Sequence, residues 1–169
     1  SYTNTITGGQ TWNALTNITN DATYKSTCAF WCQFNGTWAA DPEFSPSSNS
    51  GFVPCSTVML VFRGTTGSPA WAVDVAEQNA TFAAPGGSFD VTRAGQTAIG
   101  ASTVTIMAFY APASGTVTWT NQSGGASFAN PTDAQFRNTD GICNSYLYKI
   151  QSAAGATGTA TNRMSADLN

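Results

Sequence analysis

Four cysteines, Cys28, Cys32, Cys55 and Cys143, are the most reactive side chains of this 169-residue sequence. Four thiols allow three disulfide pairings, and spacing alone does not choose among them. If residues 28–34 (CAFWCQF) run as a strand, Cys28 and Cys32 share a face but stand about 13 Å apart along it. That exceeds the roughly 7 Å Cα separation a disulfide spans. Each would then pair outward, one with Cys55 and one with Cys143. If the segment turns helically, the same spacing could close locally. The rivals are a four-thiolate zinc site and reduced thiols. Structural zinc favours tight pairs such as C-x2-C on both sides, and here only one looser pair exists. A catalytic thiol is not expected, because the chain has no histidine to serve as its base.

The carboxylates are sparse. Glu43 and Glu77 are the only glutamates; Asp74 lies near Glu77, and Asp133 near Asp140. Glycoside hydrolysis needs two carboxylates facing each other across a cleft, and no spacing here selects such a pair. Isolated carboxylates on turns are expected to be solvated or to cap backbone amides. The stretch 133–141 (DAQFRNTDG) offers Asp133, Asn138 and Asp140 as weak Ca²⁺ ligands, but without the spacing of a defined calcium loop. No metal and no cofactor is implied.

Five tryptophans, at 12, 31, 38, 71 and 119, could stack on sugars or fill a core. Trp38 and Trp71 are the expected ligand-stacking pair, because each lies beside a turn: Pro69 precedes Trp71, and Asp41-Pro42 follow Trp38. Sequons occur at Asn17, Asn35, Asn79 and Asn121, and have meaning only in a glycosylating secretory host.

Composition narrows the field further. Only 9% of residues are charged, with six basic and nine acidic side chains, a net charge of −3 and no histidine. A typical soluble domain is roughly 25% charged. Imidazole catalysis and histidine metal ligation are excluded. The negative balance argues against nucleic acid and against polybasic membrane contact. No run approaches the roughly 18 apolar residues of a membrane helix. At 41% hydrophobic and 12% aromatic, the chain can bury a core and is not of disordered type. The first ten residues have neither a basic segment nor an apolar one, which leads to the expectation that Ser1 follows a removed initiator Met rather than a signal peptide.

The elements that must position these residues read as strands. Residues 56–63 (STVMLVFR) form a compact apolar run ended by Gly64. In residues 102–110 (STVTIMAFY), Val104, Ile106 and Ala108 share one face while Thr103, Thr105, Met107 and Phe109 share the other. Both faces end apolar, which predicts a strand central to a two-sheet sandwich. Residues 115–120 (GTVTWT) and 144–151 (NSYLYKIQ) alternate similarly; weaker strands are expected at 70–75, 79–84, 89–92 and 156–165. Turns of Gly, Pro and Ser separate them, as at 64–69, 85–88, 95–101, 111–115 and 122–126. This predicts an all-β chain, an antiparallel sandwich with little helix. It divides into an N-terminal strand or anchor segment, 1–27, and a β-sandwich domain, 28–169, within one compact whole. The strand pattern runs almost to Asn169, which leads to the expectation of an edge left for another chain to cover.

Residues 57–64 (TVMLVFRG), 83–88 (AAPGGS), 102–110 and 148–161 (YKIQSAAGATGTAT), with the opening 11–27 (TWNALTNITNDATYKST), carry a resemblance. Together they resemble the jelly-roll or immunoglobulin-like β-sandwich modules of bacteriophage virion proteins and bacterial surface proteins. The resemblance implies a non-enzymatic structural protein at the virion surface, a capsid or tail decoration that contacts itself or a capsid or surface lattice protein. Low charge agrees with it, because faces with few charges are buried at little desolvation cost. Two other readings are a secreted carbohydrate-binding adhesin that takes surface glycans, and an extracellular filament subunit completed by a donated strand.

Overall fold

The computed structural model describes residues 5–8, 10–15, 18–20, 25–38, 40–45, 57–64, 70–78, 80, 88–112, 117–122, 128–129, 135–137 and 142–166. Among these the chain is all β: there is no helix, and every strand pairing is antiparallel. It divides into two compact units. Unit 1 comprises Ser1–Val73 with Glu77–Asn79, and unit 2 comprises Asp74–Ala76 with Ala80–Asn169.

Unit 1 is built from short ribbons. Strand β1 (Thr5–Thr7) pairs with β6 (Glu43–Ser45), β2 (Asn13–Ala14) with β5 (Phe30–Trp31), and β3 (Ile18–Asn20) with β4 (Lys25–Thr27). Two-stranded pairs of two or three residues bury little by themselves. Aromatic contacts supplement them: Phe30 meets Phe44 edge to face at 6.4 Å, and Trp12 stacks on Trp38 at 6.0 Å.

Unit 2 holds the longer strands. These are β7 (Phe89–Arg93), β8 (Thr97–Ala98), β9 (Thr103–Pro112), β10 (Val117–Gln122), β11 (Gln135–Arg137), β12 (Ile142–Gln151), β13 (Gly155–Ala156) and β14 (Ala160–Ala166). They form sheets of order β10-β14-β7 and β11-β12-β9, and a pair β13-β8. Strands β9 and β12 pair over ten residues, from Thr103 opposite Gln151 to Pro112 opposite Ile142. Their Thr, Val, Ile and Tyr content suits a pleated, half-buried surface. Opposed residues of an antiparallel pair share a face. Met107, Phe109, Leu147 and Ser145 therefore lie together, and Leu147 and Ser145 are buried to 0% and 1% exposure. The other face carries Val104, Ile106 and Ala108 beside Ile150, Tyr148 and Tyr146, and there Ile106 stays 47% and Ile150 66% exposed.

Strand β14 follows the same rule. Ala160, Asn162 and Met164 are buried, while Arg163 points outward to Asp90 at 3.3 Å. Asn162 on β14 donates through Nδ2 to Ser145 Oγ on β12 at 2.9 Å, a buried bond that ties the two larger sheets together. Asp74 clamps the turn before β9: its carboxylate accepts from the amides of Ile99 and Gly100 at 2.8 and 2.9 Å. Gln96 Nε2 donates to Ala76 O at 3.0 Å, and Lys149 Nζ to Thr157 O at 2.8 Å.

Two expectations change. Ser56 lies outside the described residues, and residues 57–64 belong to none of the described strands. Met59 and Val61 are well exposed there, so the most apolar run is not core. Among the described residues strand β9 is not the centre of its sheet; β12 is, with β9 at the edge. On the second apolar face of β9, Ile106 and Ala108 are exposed while Val104 and Tyr110 are partly buried.

Candidate functional site

The site begins at a turn in unit 1. Gly8 has φ near +103°, and a side chain there would run into the backbone of Asp41 and Pro42. Only glycine takes this conformation so close to a neighbouring chain without strain. Its carbonyl accepts from the Gln10 amide at 2.6 Å and from Trp12 Nε1 at 3.2 Å. The turn thereby fixes Gln10, whose Nε2 donates to Asn35 Oδ1 at 2.8 Å and to Thr37 O at 2.5 Å. Asn35 Oδ1 also accepts from the Thr37 amide at 3.2 Å. Gln10, Asn35 and Thr37 thus form one braced polar wall.

The rest of the lining follows the extended-chain period of two. Thr11 and Asn13 alternate on one segment, and Trp31, Gln33 and Asn35 alternate on another. Pairing of β2 with β5 sets Asn13 opposite Trp31, and the Leu15 amide extends this by donating to Ala29 O at 2.9 Å. Gln33 Oε1 accepts from the backbone amide of Trp71 at 3.2 Å, which draws the second indole in. Between them lies a cavity of about 350 Å³ lined by Gln10, Thr11, Asn13, Trp31, Gln33, Asn35 and Trp71. That is near the lower end of the roughly 300–1,000 Å³ typical of small-molecule sites. Among the described residues no charged side chain lines it. Residues of the opposite parity go elsewhere. Trp12 and Phe34 join Trp38 in an aromatic cluster, with Phe34 5.0 Å from Trp38.

The structure places the two expected stacking residues differently. Trp71 lines the cavity, and Trp38, 39% exposed, belongs to the cluster. Trp31, one of the five tryptophans considered for stacking but not one of the expected pair, lines the cavity; Gln10 and Gln33 were not among the candidates, and Asn35 was named only as a sequon, although W-x-Q-x-N alternation at 31–35 marks that face.

Cys28 and Cys32 are partly buried and are not joined to each other. Burial pushes the Cys32 thiol above its ordinary value, which keeps it protonated near neutrality. Cys55 lies outside the described residues, and Cys143 is described by its backbone alone, opposite Ala111. Asp133, Asn138 and Asp140 also lie outside the described residues. Asp74 has both carboxylate oxygens engaged by backbone amides. Among the described residues no three His, Cys, Asp or Glu side chains gather into a metal-binding group, and no helix is long and apolar enough to cross a membrane. Burial likewise raises the Tyr110 phenol above its ordinary range. No family model, no curated protein and no solved structure matches this chain.

Proposed function

We propose that the chain is a non-enzymatic structural protein, a virion decoration or surface-assembly component, that works at the virion surface through contacts between its own copies. Its scaffold on this reading is an antiparallel β-sandwich of jelly-roll or immunoglobulin-like type. The observation that carries the reading is strand β9. Among the described residues it runs ten residues at the edge of its sheet and contains no charged side chain, with one edge-blunting residue, Pro112, at its very end. Natural sheets blunt such edges with lysines, bulges or covering elements, because an unguarded edge templates pairing with another chain. Beside that edge lies the half-open face of Val104, Ile106, Ala108 and Ile150. The one charged residue of β12, Lys149, sits on the opposite face and is tied to Thr157 O.

The occupant that fits is a second copy of the chain. Copies with a net charge of −3 repel on average, and an uncharged face is where they approach at least cost. A twofold contact also makes any apolar face complementary to itself. Sedimentation velocity across about 1–100 µM tests this, with oligomer expected for the natural sequence. Ile106→Lys combined with Ile150→Lys should shift it to monomer while the circular dichroism spectrum is retained. A natural sequence that stays monomeric throughout would overturn the reading.

A further inference from the structure

We infer that the cavity of unit 1 is a binding site for a neutral carbohydrate, a function beyond subunit assembly and independent of it. The chemistry of the lining selects the ligand class. Trp31 and Trp71 supply two indole rings, whose negatively polarised faces attract the weakly positive C–H face of a pyranose. The remaining lining is amide and hydroxyl, the neutral donor and acceptor groups that match sugar hydroxyls. These groups are held in place before a ligand arrives. The Nε2 of Gln10 and the Oδ1 of Asn35 are committed to the wall, while Gln33 anchors the backbone of Trp71. Gln10 Oε1 and Asn35 Nδ2 have no partner among the described residues, which leaves one acceptor and a pair of donors on residues that line the cavity. Pre-organisation of this kind lowers the ordering cost of binding.

The absence of charge among the described lining residues discriminates between ligands. A nucleotide base could stack on the same indoles, but its phosphate would find no lysine or arginine there. A sialylated or sulfated glycan meets the same obstacle. A quaternary ammonium ligand would want an aromatic cage or a nearby carboxylate, and the lining supplies two rings and no carboxylate.

Tryptophan fluorescence and saturation-transfer NMR on the full chain test the site. The probes are methyl glucoside, methyl galactoside, methyl mannoside, cellobiose and lactose, with sialyllactose and AMP as charged comparisons. At least one neutral sugar should bind with a dissociation constant of about 0.1–10 mM, the range a ligand of this size reaches in one pocket. Trp71→Ala should weaken binding at least about tenfold, matching the loss of a stacking partner. Asn13→Ala, at an exposed position of the rim, should weaken it about threefold, the loss of one hydrogen bond. Trp38→Phe, in the cluster outside the cavity, should leave affinity unchanged. If Trp71→Ala disturbs the near-ultraviolet circular dichroism, Trp71→Phe replaces it and should retain intermediate affinity. No binding of any neutral sugar at 20 mM, tighter binding of the charged probes, or loss on Trp38→Phe without loss on Trp71→Ala would each overturn the inference. An oligomer that binds no sugar refutes the site alone, and a monomer that binds sugar refutes the assembly alone.

Discussion

Units 1 and 2 are held together by different physics. Every buried residue among those described lies in unit 2, including Val91, Phe109, Phe128, Leu147, Ala160 and Met164. Unit 1 instead relies on side chains that hydrogen-bond to side chains and backbone across long sequence separations, and on aromatic stacking at the surface. Gln10 reaches residues 25 and 27 positions away, and Gln33 reaches one 38 positions away. Burial gives unit 2 cooperative stability, because each core side chain touches many others. A network of exposed bonds gives unit 1 defined geometry with little reserve, since each exposed bond adds little net stability. Binding sites are commonly drawn from such low-stability regions. The cavity lies in unit 1, and the face proposed for assembly lies on the better-packed unit.

Three experiments probe that contrast. Leu147→Ala should have the largest effect, about 2–5 kcal/mol of unit 2 stability from lost burial plus the cavity left behind. Denaturant unfolding with amide exchange read separately in each unit checks it. A loss below about 1 kcal/mol would remove burial as the basis of unit 2. Second comes Asn162, fully buried, bonded to Ser145 Oγ and with an Oδ1 that has no partner among the described residues. Asn162→Leu alone should cost about 1–3 kcal/mol, because it strands the Ser145 hydroxyl. Adding Ser145→Ala should recover most of that loss, and a double variant no better than the single one would show that the polar pair itself sets the sheet spacing. The smallest effect is expected in unit 1. Gln10→Ala should cost about 0.5–1.5 kcal/mol, confined to unit 1. It should appear as faster exchange at Thr37, with the β12 amides unchanged. Propagation into unit 2 would erase the distinction between the two.

The same contrast decides what sequence reading can reach. Strands β9, β10, β12 and β14 were legible because alternation is a local pattern, and a half-buried strand prints it directly. Residues 57–64 show the limit. Apolarity there identifies an extended segment, yet whether it is covered depends on residues far along the chain. The edge position of β9 was hidden for the same reason, since both of its faces are apolar and only the partner order separates edge from centre. The cavity was half visible. Trp71 stood out beside Pro69, but Gln10, Gln33 and Asn35 join it through contacts that no local spacing encodes. The burial of Asn162 ran against its polar character, and only the facing Ser145 accounts for it.

The three residues Asp74–Ala76 belong to unit 2 although the chain on both sides of them belongs to unit 1. Their attachment is specific: Asp74 holds the amides of Ile99 and Gly100, and Ala76 O receives Gln96. An excised fragment starting at Ala80 would therefore lack its own clasp and leave the turn before β9 without its carboxylate. The natural cut for an autonomous unit 2 falls before Asp74, and that fragment necessarily takes with it Glu77–Asn79, three residues of unit 1.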